Sequence, residues 1–170
     1  MGKQSADDAF IDDEKSQRIM NPREVTEQYV NQGRVMQLAT IHNNQPRANS
    51  LYYVASDDLR HIYWLSEPTR RHSRDIVDNP NTGGTIVIKA DLPVIGVQFT
   101  GESSEVTDRE EQKHILNQYN QKYGDTVEGL YDRMVLGKNK HHLYKIAIRE
   151  LELFDEVNFA ADSPVSIALS

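Results

Sequence analysis

Short β-rich runs broken by turn signals constrain this chain more than any other feature. Val35-Met36-Gln37-Leu38-Ala39-Thr40-Ile41 is followed by the polar turn chemistry of His42-Asn43-Asn44-Gln45-Pro46, and the pattern resumes from Ala48 to Val54. Alternate residues of a strand share a face, so two such runs joined by a polar turn predict an antiparallel hairpin. Ser56-Asp57-Asp58 turns the chain into a third strand, His61-Ile62-Tyr63-Trp64-Leu65. Strands resume at Thr85 to Lys89 and, past Asp91-Leu92-Pro93, from Ile95 to Val106, where Gly96 and Gly101 mark bulges or close backbone approaches. Leu143 to Phe154 sets Tyr144, Ile146 and Ile148 against Lys145 and Arg149 and is the last strand. Sequential hairpins of this kind predict a mainly β fold, an antiparallel barrel whose closure removes edge strands.

Helices fall at the periphery of this pattern. Asn21 is a good N-cap, Pro22 is tolerated in a first turn, and Gly33 ends the segment. A short helix is predicted from Pro68 to Val77, stopped by Asn79-Pro80 because the residue before proline avoids helical dihedrals. Thr107-x-x-Glu110 reads as a capping box opening a helix that lasts to Tyr123-Gly124, and Thr126 to Leu136 predicts another, with Gly137 past its end. Residues 1–20 are polar and acidic and are expected to form a flexible N-terminal arm; 21–158 form the domain and 159–170 a C-terminal tail.

Composition narrows the chemistry. The 170 residues, 38% hydrophobic and 26% charged, suit one globular domain with a core of its own. The absence of cysteine excludes disulfides, thiolate zinc, iron–sulfur clusters and a cysteine nucleophile. No metal site is expected. A net charge of −7 argues against general nucleic-acid binding. With no apolar run of membrane-spanning length, and acidic residues where a secretory signal needs an apolar stretch, the expectation is a cytoplasmic chain without membrane attachment.

Within this acidic chain, Ser66-Glu67-Pro68-Thr69-Arg70-Arg71-His72-Ser73-Arg74 is unusually cationic and sits where a strand hands over to a helix. First-turn amides are unpaired and lie at the positive end of the helix dipole, so a phosphate is well placed to accept from them while Thr69 and the arginines complete a cradle. Arg47, on an adjacent strand, is a further cation for it. The plainer reading is a solvated helix face with the arginines paired to Asp75 and Asp78. The chain contains no phosphate-loop or dinucleotide glycine motif.

Taken together and in order, Gln37 to Ile41, Gln45 to Ser50, Ile62 to Ser66, Thr69 to Arg74, Asn79-Pro80 and Gly96 to Gly101 resemble the pyridoxamine 5'-phosphate oxidase-like, FMN-binding split-barrel family. The resemblance covers roughly residues 22–155. It implies a six-stranded antiparallel split barrel of Greek-key type with peripheral α-helices, a homodimer with FMN at the subunit interface, and a flavin-dependent oxidoreductase acting on a small molecule not identified by the sequence. Position by position, it assigns Arg47 as the strand arginine and Thr69, Arg70 and Arg71 as the phosphate-binding triplet, with arginine in the usual lysine place. Asn49, Ser50 and Leu51 border the flavin ring in this reading, Trp64 and Leu65 lie beside the ring or ribityl chain, and Gln98 approaches from the partner subunit. His72 is a secondary candidate for polarising the flavin edge or the phosphate, against the plainer reading of a helix-surface histidine. The lysine that holds the substrate phosphate in the true vitamin B6 oxidases is Tyr52 here, and their C-terminal Arg-x-His motif has no counterpart in Leu151 to Asn158. Oxidation of pyridoxamine phosphate is therefore not expected. Deazaflavin and haem are the alternative cofactors, and a non-catalytic flavin- or haem-binding stress or sensor protein is the alternative function.

Other constellations are weaker. Adjacent strand residues point to opposite faces, so His141 and His142 do not chelate together. Tyr52, Tyr53, Tyr63 and Trp64 form an aromatic cluster that core packing explains. No residue stands out as a proton donor.

Overall fold

The computed structural model describes residues 20–124, 129, 133–134 and 138–169. The expected acidic arm, and most of the helix expected over Thr126 to Leu136, lie outside the described residues. In chain order the elements are α1 (Pro22–Gln32), β1 (Val35–His42), β2 (Gln45–Tyr52), β3 (Val54–Ala55), β4 (His61–Ser66), α2 (Arg71–Asp78), β5 (Asn81–Lys89), β6 (Ile95–Glu105), α3 (Arg109–Tyr123), β7 (His142–Asp155) and β8 (Val165–Ser166). Among the described residues no helix is long and apolar enough to cross a membrane.

The strands form one antiparallel sheet in the order β2-β1-β5-β6-β7-β4-β3, with β8 on β7. Its two outer strands, β2 and β3, are consecutive stretches of chain separated only by Tyr53, which pair with β1 and β4 respectively. The sheet therefore curls back on itself, and the split barrel expected from the sequence is present with its seam at Tyr53. Eight strand segments replace the expected six because Tyr53 divides one strand and because the C-terminal segment contributes β8. That segment packs as well as pairs: Ile167 is buried and its amide donates to Leu151 O at 2.8 Å.

Alternation places Met36 and Leu38 of β1, Val97 and Phe99 of β6, and Leu151 and Leu153 of β7 inside the barrel, with Val25 and Val30 of α1 packed into the same core. A second apolar cluster lies between Ile115 and Tyr119 of α3 and Val54, Tyr63 and Leu143 of the sheet. The seam is satisfied by the hydroxyls of α3. Tyr119 Oη lies 2.9 Å from Tyr52 O and 3.0 Å from Tyr63 O. Tyr123 Oη lies 2.6 Å from Tyr53 O and accepts from Tyr53 N at 3.2 Å. Side-chain hydroxyls thus bond backbone groups on both sides of the turn-over point, where pairing passes from β1 to β4.

Three boundaries differ from expectation. Helix α3 is capped by Asp108, whose carboxylate accepts from Glu111 N at 2.8 Å, so the Thr107 box is displaced by one residue. The Glu111 carboxylate binds Lys145 and Tyr63 instead of reaching back to the cap. Helix α2 starts at Arg71, not Pro68, because Arg70 N closes a turn onto Glu67 O at 3.0 Å first. Strand β5 begins at Asn81, four residues early: Gly83 and Gly84 pair with Thr100 and Phe99 despite poor intrinsic strand preference, since pairing overrides propensity. Gly101 sits at the register shift of β6 against β7, where a side chain would meet the Ala147 carbonyl.

Candidate functional site

Six of the eleven expected site residues meet at one cleft, formed by β2, the end of β4 and the turn into α2. On β2 the inward-facing set is Arg47, Asn49 and Leu51, each half-buried, while Ala48, Ser50 and Tyr52 are exposed. On β4, Leu65 and Ser66 end the strand next to the turn that opens α2. Asn49, Leu51, Leu65, Arg70, Arg71 and His72 line a common cleft of about 440 Å³, with Ser66, Glu67 and His141 completing its wall. Leu51, Leu65 and His141 also border a larger neighbouring cleft of about 610 Å³, whose wall includes Ser50, Tyr52 and Arg34. The two make one apolar-walled groove with a cationic rim.

That rim is suited to an anion. Helix α2 has no side-chain cap, so its first-turn amides are not satisfied by a capping side chain. Arg71 is exposed and makes no ion pair among the described residues. Arg70 is about two-thirds exposed and reaches Glu67 only at 3.9 Å, a weak pair in solvent. Asn49 Nδ2 is buried with no hydrogen-bond partner among the described residues, an unpaired donor on the cleft wall. Two guanidiniums, free amides and an orphan donor fit a cofactor carrying a phosphate and a polar ring edge, whereas Glu67 is the one carboxylate on that wall.

Other expected residues lie elsewhere. Arg47 is held 3.5 Å from Asp75, a buried carboxylate that also accepts from Thr40 Oγ1 at 2.9 Å and faces His42 Nδ1 at 3.5 Å. Asp75 therefore pairs with the strand arginine and not with the helix arginines. Trp64 is fully buried and stacks on Tyr144 at 5.7 Å between centroids, in the core and not on the cleft wall. Thr69 is exposed, its hydroxyl 3.4 Å from Glu67 Oε2. Gln98 opens onto a different groove, beside Thr100, Glu150 and Glu152.

His72 is not on the helix surface. It is 8% exposed, and its Nε2 lies 2.8 Å from Ser66 Oγ, which accepts from Ser73 Oγ at 2.9 Å. Burial pushes its pKa down, with Arg70 and Arg71 acting in the same direction and Asp75 opposing them. Sequence reasoning missed Ser66 and Ser73 beside His72; no local spacing marks them, because Ser66 ends β4 and meets the ring only once α2 folds back against it. Among the described residues no group of three or more metal-ligating side chains is gathered.

A curled antiparallel split barrel with a cation-rimmed groove beside its seam is the architecture that the described residues define. The chain belongs to the pyridoxamine 5'-phosphate oxidase family, whose model matches residues 22–155. Its fold is similar to that of the conserved protein Rv2991 of Mycobacterium tuberculosis, with a TM-score of 0.70, 20% identity, and 88% of this chain and 94% of that one covered. It is similar to HutZ, the haem storage protein of Vibrio cholerae, at a TM-score of 0.63 and 18% identity over 78% of this chain and 94% of that one. A FAD-binding protein of Mesorhizobium loti matches at a TM-score of 0.56 and 20% identity, covering 78% of this chain and 92% of that one. At these identities the likeness concerns the fold.

Proposed function

We propose that this chain binds FMN in the groove between β2, β4 and α2 and acts as a flavin-dependent oxidoreductase on a small molecule. The observation that carries this reading is the pairing of an uncapped α2 N-terminus and two exposed guanidiniums with an apolar wall, Leu51 and Leu65, in one cleft. Arg70, Arg71 and the first amides of α2 hold the phosphate; Thr69, at the same turn, has a hydroxyl to add. Arg47 stays outside this cradle, its charge offset by Asp75. Leu51 and Leu65 exclude water from the ring, and the unpaired Asn49 amide donates to its polar edge. When bound, the flavin supplies the electron-carrying ring, while the protein contributes orientation and electrostatics. A homodimer belongs to the same proposal: Gln98 lies on a separate groove, from which it would meet a flavin held by a second copy of the chain.

The FAD-binding neighbour supports a flavin and the haem storage neighbour supports haem as the second reading. Titration of the purified protein with FMN, followed by absorbance, separates them. Oxidised-flavin bands that shift on binding support FMN; uptake of haem with a Soret band, without flavin binding, replaces it. The double variant R70A/R71A is expected to weaken FMN binding roughly ten- to a hundredfold per arginine, the scale of a charged hydrogen bond of about 1.5–3 kcal/mol. Unchanged affinity overturns the cradle. Sedimentation of the protein with and without FMN tests the dimer.

A further inference from the structure

The larger lobe of the groove, about 610 Å³, has a chemistry unlike that of the α2 turn. Among the described residues its wall holds Arg34, Arg133, Lys138 and the rings of Tyr52, Tyr119 and Tyr123, and no carboxylate. In a chain of net charge −7, three cations gathered without an acid stand out. Arg34 is exposed, and its guanidinium lies over the Tyr123 ring, 4.9 Å from the centroid, with no hydrogen bond or ion pair to that side chain among the described residues. Tyr123 holds Arg34 at both ends, because its hydroxyl lies 2.9 Å from Arg34 O. The Tyr123 ring in turn meets Tyr52 edge-on at 5.3 Å and Tyr119 at 5.4 Å between centroids. Tyr52 is 62% exposed, an aromatic ring left open on the lobe wall.

We propose that this lobe binds the small molecule on which the protein acts, and that its ligand is a planar aromatic carboxylate. Two features of the wall select such a ligand. Stacking on Tyr123 occupies one face of the Arg34 guanidinium and leaves its in-plane N–H donors unpaired, and a guanidinium fork matches the two oxygens of a carboxylate. A ring carried by that carboxylate then lies against Tyr52, where ring–ring contact adds to the apolar burial. Leu51 and Leu65 border both lobes, so a ligand here reaches the apolar wall assigned above to the flavin ring. The proposal rests on the flavin reading for that neighbourhood, whereas recognition of the acid depends on Arg34 and Tyr52.

The electrostatics of the lobe favour an anion. Lys122 Nζ lies 4.2 Å from the Tyr53 centroid and 5.8 Å from that of Tyr123, so Lys122 and Arg34 share the Tyr123 ring. Burial, and after it the charge of Arg34, lower the Lys122 pKa to about 8. Two like charges are thus held about one ring with no described carboxylate paired to either, and a bound carboxylate relieves their repulsion where a neutral ligand does not. The α2 turn differs in kind: its free amides and two exposed guanidiniums suit a phosphate.

The test is titration calorimetry of the full chain, free and loaded with FMN, with benzoate, benzamide and cyclohexanecarboxylate as probes. Benzoate is expected to bind about tenfold or more tightly than benzamide, which lacks the charge, and about threefold or more tightly than cyclohexanecarboxylate, which lacks the planar ring. R34Q is expected to remove the preference for benzoate over benzamide while FMN affinity and Tm stay close to wild type, because the side chain is exposed and lies outside the α2 turn. R70A/R71A should keep the benzoate affinity of wild type. Benzoate binding that survives R34Q and is lost in R70A/R71A would put the acid in the phosphate cradle and overturn the proposal. An affinity for benzoate no greater than for the other two probes overturns it as well, and the flavin reading stands if FMN binds in the same experiment. Selective benzoate binding by a protein that takes up no FMN keeps the acid lobe and removes the flavin.

Discussion

At the residue scale, burial sets the chemistry of the few polar side chains that the closed barrel encloses. His72 illustrates it. An exposed histidine beside two arginines would titrate freely, but here its ring is buried against Ser66 and its pKa is lowered by that burial. A group whose folded pKa lies below its unfolded value of about 6.5 makes its full contribution above 6.5 and loses it as pH falls toward the folded value, since the unfolded chain takes up a proton that the native state resists. The urea midpoint is therefore expected to drop between pH 7.5 and 5.5, and H72Q should flatten part of that slope. His61, also lowered by burial, contributes in the same sense, so the slope in H72Q is reduced and not abolished. A slope identical in wild type and H72Q would contradict the burial of His72.

At the element scale, the barrel depends on two devices that pair backbone to backbone and side chain to seam. Gly101 lies where β6 shifts register against β7, and a methyl group there would meet the Ala147 carbonyl and the Ile146 side chain. G101A is expected to cost about 1–3 kcal/mol, the scale of overpacking, whereas G96A, whose nearest contact is Ile86 O at 3.2 Å, should cost less. Chemical denaturation of the two variants checks the order. The second device is the pair of α3 tyrosines at the seam. Y119F keeps the apolar packing of α3 but removes the single O–H donor that the carbonyls of Tyr52 and Tyr63 share, a loss of about 1–3 kcal/mol. Faster amide exchange around Tyr53 than at the centre of β6 is expected to accompany it, because the seam is where pairing changes partner.

At the scale of the whole molecule, the groove joins the seam to the α2 turn, so the proposed FMN binding is expected to be coupled to the closure of the barrel. A ligand that binds only the folded state at a hundredfold excess over its Kd stabilises it by about 2.7 kcal/mol. For a chain of this size that corresponds to a rise in Tm of roughly 5–10 °C. FMN is expected to produce this shift in wild type and to lose most of it in R70A/R71A, whose unliganded Tm should stay close to wild type because both side chains are exposed. Scanning calorimetry with and without FMN measures both quantities. An equal shift in the two proteins would place the phosphate elsewhere.

Much of this was legible in the order of residues. The strand-and-turn rhythm, the Asn21 cap, the bulge at Gly101 and the cationic strand-to-helix turn follow from local chemistry, because period, capping and backbone freedom act over a few neighbours. The grouping of Asn49, Leu51, Leu65, Arg70, Arg71 and His72 on one cleft was legible only through the family resemblance. Nothing local distinguishes the arginine that pairs with Asp75 from those that do not: Arg47 reaches it because α2 packs on β1, where Thr40 binds Asp75 and is the cross-strand neighbour of Arg47, a contact between residues 28 apart in the chain. The burial of His72, the recruitment of Ser66 and Ser73 beside it, and the α3 hydroxyls at Tyr53 likewise arise from long-range packing. Sequence alone determined the cores of the six main strands and where cations cluster; tertiary structure decided the glycine-rich start of β5, the added β8 and which polar groups are buried, since pairing and burial depend on what the rest of the chain brings alongside.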